Sequence, residues 1–403
     1  MTDICLILEG TYPYRTGGVA TWTDSLVHGL PEFSFSVAHL FYGPRPDRPK
    51  FPIPQNVSEI ASISLNDSST PVTVQGLVDI LPEARLYHSL STGFAGWLGT
   101  EAKRRKGLPF VLTEHGIYWR EVALGVDELE CGFKIVETEE GEFLLGRTWK
   151  DWSQTFRELA RRAYESADVI TTVCSFNQAL QRLLGAPQSR SFVIPNGTAI
   201  PPNGNGESRR RELTTRPRIA LVGRVTPIKD VKTFLRACSI VEQQIPDAEF
   251  LVIGPTDLDP EYTRACADLA EELHLRRVIF TGEVDVERFF PSIDIIVLTS
   301  VSEAQPLVIL EAYAHSIPVV TTDVGGLPEL VLGNDPSDEP AGILCPVANP
   351  ERIAGGMLRL CGDGALYRKY AQTGLARVKS RHAAETVANA YRSIYHRLLD
   401  KCD

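Results

Sequence analysis

Short apolar runs alternate with longer amphipathic spacers along the whole chain, and that alternation is its strongest signal. Ile4–Leu8, Phe35–Tyr42, Arg85–Ser89, Phe110–Glu114, Val169–Val173 and Ser191–Ile194 read as strands of a first half. Arg218–Val222, Glu249–Ile253, Val278–Thr281, Asp294–Leu298 and Ile317–Thr321 repeat the pattern in a second. Their β-branched, nearly continuous apolar character suits parallel strands buried on both faces. The spacers Val19–Leu30 and Val231–Gln244 place apolar residues at helical spacing, with Val19, Trp22, Leu26 and Leu30 on one face of the first. Strand–helix alternation predicts doubly wound α/β sheets, whose ligands bind beyond the carboxyl ends of the strands.

Between the halves, Pro201-Pro202-Asn203-Gly204-Asn205-Gly206 and the arginine-rich stretch after it cannot build a core. The expected organisation is therefore a Rossmann-like domain over 1–200, a linker over 201–217 and a second Rossmann-like domain over 218–380. An amphipathic helix within 381–403, with Tyr391, Ile394, Tyr395 and Leu398 on one side, is expected to pack back on the first domain. A length of 403 residues suits two such domains.

Composition narrows the classes. Apolar residues make up 43% and charged residues 23%, and no apolar run is long enough to span a bilayer. The opening MTDICLILEGTYP lacks a basic region before its strand, so no secretory signal is expected. The eight cysteines show no CxxC spacing and read as reduced packing residues of a cytoplasmic protein. A net charge of −10 argues against nucleic acid as a partner. The eight histidines form no HExxH or His/Cys cluster, and Asp257-Leu258-Asp259 lies among Gly254, Pro255 and Pro260, as a surface turn would; no metal or cofactor is expected. The chain has no GxSxG elbow, Walker A sequence or GxGxxG after its first strand.

Candidate chemistry gathers after the strands. Thr299–Glu311 (TSVSEAQPLVILE) reads as strand end, polar loop and helix start, a geometry that favours anions. A carboxylate would repel a phosphate there, so Glu303 is expected to face a neutral group such as a sugar hydroxyl. Arg224 and Lys229 share the loop after Arg218–Val222 and can together hold a diphosphate and stabilise it as a leaving group. In the first half, Gly17 and Gly18 allow close backbone approach to a ligand or simply make a turn, and His88, Glu114 and His115 lie toward strand ends.

Gly223-Arg224, Lys229, Ser302-Glu303, Pro306, Glu311-Ala312, Pro318-Val319-Val320 and Gly325-Gly326 with Glu329 resemble the signature of family-four retaining glycosyltransferases of GT-B fold. LILEGTYPY, GGVATW, TEHGIYWRE and SEAQPLVILEA are most similar to the Pel exopolysaccharide subgroup. The resemblance implies two Rossmann-like parallel-sheet domains facing across a cleft and a metal-independent transfer of a hexose from a UDP-sugar to a saccharide acceptor. It assigns Arg224 and Lys229 to the donor diphosphate, Glu311 to the ribose, and Glu303, with the backbone of Ala304, Gln305, Pro306 and Leu307, to the donor sugar. It further places Glu283 and Val284 at the base, His115 near the sugar, and Gly17 and Gly18 over the phosphates. A peripheral contact with a membrane synthase complex is left open. A nucleotide-sugar epimerase of the same architecture, or a noncatalytic nucleotide-sugar sensor, would share much of this pattern.

Overall fold

A computed structural model describes residues 1–44, 48–66, 74–126, 132–135, 142–144, 147–149, 151–201 and 216–400. Backbone proximity divides the chain into two units, Met1–Asn196 with Ala384–Asp403, and Gly197–Ala383. Most of the expected 201–217 linker, with Cys131 and Cys402, lies outside the described residues.

The first unit holds strands β1 (Thr2–Glu9), β2 (Phe35–Phe41), β3 (Val57–Ser64), β4 (Ala84–Ser89) and β5 (Phe110–Glu114). A short antiparallel hairpin, β6 (Glu142–Leu144) and β7 (Arg147–Trp149), precedes β8 (Val169–Thr172) and β9 (Ser191–Val193). Seven of these strands form a parallel sheet in the order β3-β2-β1-β4-β5-β8-β9. The second unit holds β10 (Arg218–Val222), β11 (Glu249–Ile253), β12 (Val278–Gly282), β13 (Ile295–Leu298), β14 (Val319–Thr322) and β15 (Gly342–Cys345). They form a parallel sheet in the order β12-β11-β10-β13-β14-β15. Strand order reverses between β10 and β13, which opens a crevice beyond their carboxyl ends.

β3, β15 and the β6–β7 hairpin were not expected from sequence. β3 reads VSEIASIS and lies at a sheet edge with five of its eight residues partly or fully exposed, so its polar content hides it. β15 has four residues and begins at Gly342, where a Cβ would sit 2.6 Å from the Val319 carbonyl oxygen. Close approach to β14, not propensity, keeps that strand in place.

The last helix, Ala384–Leu399, completes the first unit. Its Tyr391 and Tyr395 are buried beside Trp22, Phe33 and Phe35. Their hydroxyls reach strand side chains: Tyr391 OH lies 3.0 Å from Thr113 Oγ1 and 3.1 Å from Thr171 Oγ1. Tyr395 OH lies 2.7 Å from His88 Nδ1, and His88 Nε2 lies 2.7 Å from Thr113 Oγ1. His88 thus uses both ring nitrogens inside β4, and burial pushes it down to about 3, so the ring is neutral. Tyr395→Phe leaves Nδ1 buried without a partner and is expected to cost about 1–3 kcal/mol. Urea unfolding followed by near-ultraviolet circular dichroism should show an earlier transition; an unchanged midpoint would mean that the hydroxyl carries no weight.

Candidate functional site

The carboxyl edge of the second sheet is drawn together by glycines. A Cβ on Gly254, after β11, would lie 2.2 Å from the Gly223 carbonyl oxygen, after β10. One on Gly325, after β14, would lie 1.6 Å from the Glu303 carbonyl oxygen, after β13. Both have positive φ, 145° and 56°, so only glycine combines that backbone with that contact.

Hydrogen bonds then fix the loops after β10 and β13 against each other. Thr299 Oγ1 donates to the carbonyls of Lys229 (3.0 Å) and Asp230 (2.8 Å), and Val301 N–H donates to Ile228 (2.9 Å). Thr322 Oγ1 donates to the Ser300 carbonyl at 2.6 Å. Asp230, left-handed at φ 45°, ends the Pro227–Lys229 turn and caps the helix Val231–Gln244 through Thr233 N–H. The consequence is an ion pair between Lys229 Nζ and Glu303 Oε1, which also accepts from Ser300 Oγ at 2.7 Å. The two side chains are 17% and 10% exposed. Sequence reasoning gave Lys229 to a diphosphate and Glu303 to a sugar; the fold makes them each other's partner.

The neighbouring candidates occupy the same edge. Arg224 is exposed on the β10 loop. Ala304, Pro306 and Leu307 are half-buried and Gln305 is buried, where the loop enters the helix Leu307–Ala314; Pro306 is its N-cap residue. Glu311 sits in that helix, half-buried. Burial pushes its carboxyl up to about 7; the Glu287 carboxylate raises it further and His315 opposes the rise. Glu283 is exposed and Val284 half-buried, following β12 at the sheet's outer end.

In the first unit, Gly17 and Gly18 begin the helix Gly18–Gly29, and a Cβ on either would meet nothing within 4 Å. His115 follows β5, its ring edge-on to Trp22 with centroids 4.6 Å apart. Its Nε2 is buried with no hydrogen-bond partner among the described residues, and burial pushes the ring down to about 4. Glu114 accepts from Thr92 Oγ1 (2.7 Å), Tyr164 OH (2.6 Å) and Gln181 Nε2 (2.9 Å), a fully committed carboxyl that burial raises. Asp259 caps the helix Pro260–Glu272 by accepting from Tyr262 N–H at 2.9 Å, and Asp257 is exposed. Among the described residues no group of three or more His, Cys, Asp or Glu side chains could hold a metal ion, and no helix is long and apolar enough to cross a membrane.

Sequence reasoning missed Gly254, Glu287, His315 and Glu9. A glycine directly after β11, as after β10, was a signal for the first. Glu9 was legible as a lone acid ending an apolar strand; buried, it accepts from Ala95 N–H at 2.8 Å at the start of the helix Phe94–Lys106. Glu287 and His315 carried none, since only the fold makes them neighbours.

Comparison with known proteins agrees with this geometry. The structure resembles HepE of Anabaena, solved with UDP and glucose (TM-score 0.75, 18% identity, 98% of this chain and 99% of that one). It also resembles sucrose-phosphate synthase of Thermosynechococcus elongatus (TM-score 0.72, 20% identity, 99% and 100%). The fold is therefore GT-B, built of two Rossmann-like parallel-sheet units. Within it, residues 216–363 match the family model Glycosyl transferases group 1. Residues 2–76 and 69–189 match a Domain of unknown function (DUF3492). An uncharacterized glycosyltransferase of Methanocaldococcus jannaschii is 32% identical over 51% of this chain and 54% of its own length. The amylovoran biosynthesis glycosyltransferase AmsK of Erwinia amylovora is 30% identical over 44% and 43%. The matches span about half the length of these curated relatives.

The raised Glu311 carboxyl has a consequence for stability. Its folded value of about 7 exceeds its ordinary 4.5, so the folded state holds the proton more tightly. Its contribution is fully present below about 4.5 and is lost as pH rises through about 7. Glu311→Gln should therefore stabilise the protein by roughly 2–3 kcal/mol at pH 8 and change little at pH 4. Thermal unfolding at both values checks this; an equal effect at each would contradict it.

Proposed function

We propose that the chain is a glycosyltransferase that moves a hexose from a nucleotide-diphosphate sugar, best read as UDP-glucose or another UDP-hexose, to a saccharide acceptor with retention at the anomeric carbon. The observation that carries the reading is the Lys229–Glu303 pair, with Arg224 on the same loop, at the strand-order reversal of a unit that matches group 1 glycosyltransferases. The HepE structure with UDP and glucose and the amylovoran relative support a UDP-sugar donor and an exopolysaccharide setting.

In this reading the donor diphosphate takes Lys229 away from Glu303. Lys229 and Arg224 then bear the negative charge that develops as the sugar–phosphate bond loosens into an oxocarbenium-like state. Glu303, released, accepts from a donor-sugar hydroxyl, and Glu311 accepts from the ribose. The acceptor attacks from the face that the phosphate leaves, and a phosphate oxygen takes its proton. Two cations on one loop fill the role that a metal has elsewhere, so transfer is metal-independent. In the first unit, Gly17, Gly18 and His115, whose Nε2 has no hydrogen-bond partner among the described residues, are the candidate ligand contacts. The buried thiols of Cys5, Cys238, Cys266 and Cys345, in no disulfide among the described residues, support a cytoplasmic location. An epimerase is less favoured, because interior hydrogen bonds already engage His88 and Glu114.

Incubation with a panel of nucleotide sugars and a saccharide acceptor, following free nucleotide diphosphate, tests the reading. UDP release that persists in EDTA is expected, and Arg224→Ala, Lys229→Ala and Glu303→Ala should each slow it by roughly 10²-fold or more. No release from any donor, isomerised sugar without release, or wild-type turnover in these variants would refute it.

A further inference from the structure

The helix that carries Glu311 ends at His315, and the histidine is held from three sides. Its Nδ1 donates to the Glu311 carbonyl at 2.9 Å, and the Phe290 ring stacks on it at 4.7 Å with 19° between planes. Its Nε2 lies 3.4 Å from Glu287 Oε2. A carbonyl only accepts, so Nδ1 carries a hydrogen, and Nε2 faces the Glu287 carboxylate. The ring is 12% exposed, whereas Glu287 is 63% exposed. His315 therefore joins the helix Leu307–Ala314 to the turns Val286–Arg288 and Phe290–Ser292, which follow Glu283 and Val284.

We propose that His315 is a positioning residue for the Glu311 carboxylate: it clamps the helix end to residues 286–292 through the Phe290 stack and the contact of its Nε2 with Glu287. This rests on the reading of Glu311 as the ribose contact. Two groups act on Glu311, Glu287 from the Val286–Arg288 turn and His315 from its own helix end. Arg288, on the same turn, is engaged 3.1 Å from Asp285, and Phe290 adds no charge. A carboxylate accepts from both ribose hydroxyls, whereas a protonated carboxyl surrenders one oxygen to its own hydrogen. Glu287 and His315 thus act on the Glu311 carboxyl in opposite directions, the first favouring its proton and the second opposing it.

The test measures binding of UDP and of 2′,3′-dideoxy-UDP by calorimetry between pH 5.5 and 8.5. The ratio of the two affinities isolates the ribose hydroxyls and cancels titration of the phosphates; GDP and its dideoxy form serve if guanine is the base. In the wild type the ratio should fall toward one as pH drops through about 7. His315→Gln should move that midpoint up by at least ~0.5 pH, and Glu287→Gln should move it down. Glu287 is exposed, so its variant keeps the test open if His315→Gln fails to fold. Superimposable profiles, or both variants moving the midpoint the same way, would overturn the inference alone. Absence of binding by both UDP and GDP would overturn it together with the nucleotide-sugar reading.

Discussion

Two glycine contacts decide what the second unit can do. With any side chain at Gly254 or Gly325, the loops after β10, β11, β13 and β14 could not close on one another, because backbone carbonyls occupy the space. Once closed, Thr299 and Thr322 satisfy carbonyls of the neighbouring loops, and residues 74 apart in sequence become an ion pair. Side chains on mobile loops could make the same contacts only by losing conformational freedom each time. Here that ordering is built into the fold.

The Lys229–Glu303 pair is partly buried, which makes it sensitive to what replaces either partner. Withdrawing charges from water is costly, and a pair in such a setting is worth most when both members are present. In the proposed reading a diphosphate would bring charge of its own, compensating Lys229 while freeing Glu303. The same logic runs at Glu311, where burial and Glu287 disfavour the carboxylate and His315 opposes them. Both acids in the site are thus governed by a basic neighbour, one by direct contact and one across a helix end.

Much of the framework was legible in sequence. Arg218–Val222, Val231–Gln244 and Glu249–Ile253 have the boundaries that periodicity and apolar runs gave them. These elements are buried on their working faces, so their patterns are strong. β3 and β15 were not legible, one being a polar edge strand and the other held by a close backbone contact at Gly342. In the site, residue types and post-strand positions pointed to Arg224, Lys229, Glu303 and Glu311, because loops at strand ends are read locally. Partnership was not legible. That Glu303 meets Lys229, that His88 and Glu114 are consumed by interior hydrogen bonds, and that Glu287 reaches His315 all depend on contacts across long sequence separations.

The central claim is that Lys229 serves the donor diphosphate and that Glu303 holds it until the diphosphate arrives. UDP affinity measured by calorimetry for wild type, Lys229→Met, Glu303→Gln and the double variant tests it most directly. The account expects Glu303→Gln to bind UDP about 3- to 10-fold more tightly and Lys229→Met to bind at least ~10-fold more weakly. The double variant should match Lys229→Met alone, a coupling of about 1 kcal/mol. Unchanged affinity in Glu303→Gln, with strictly additive effects in the double variant, would contradict it.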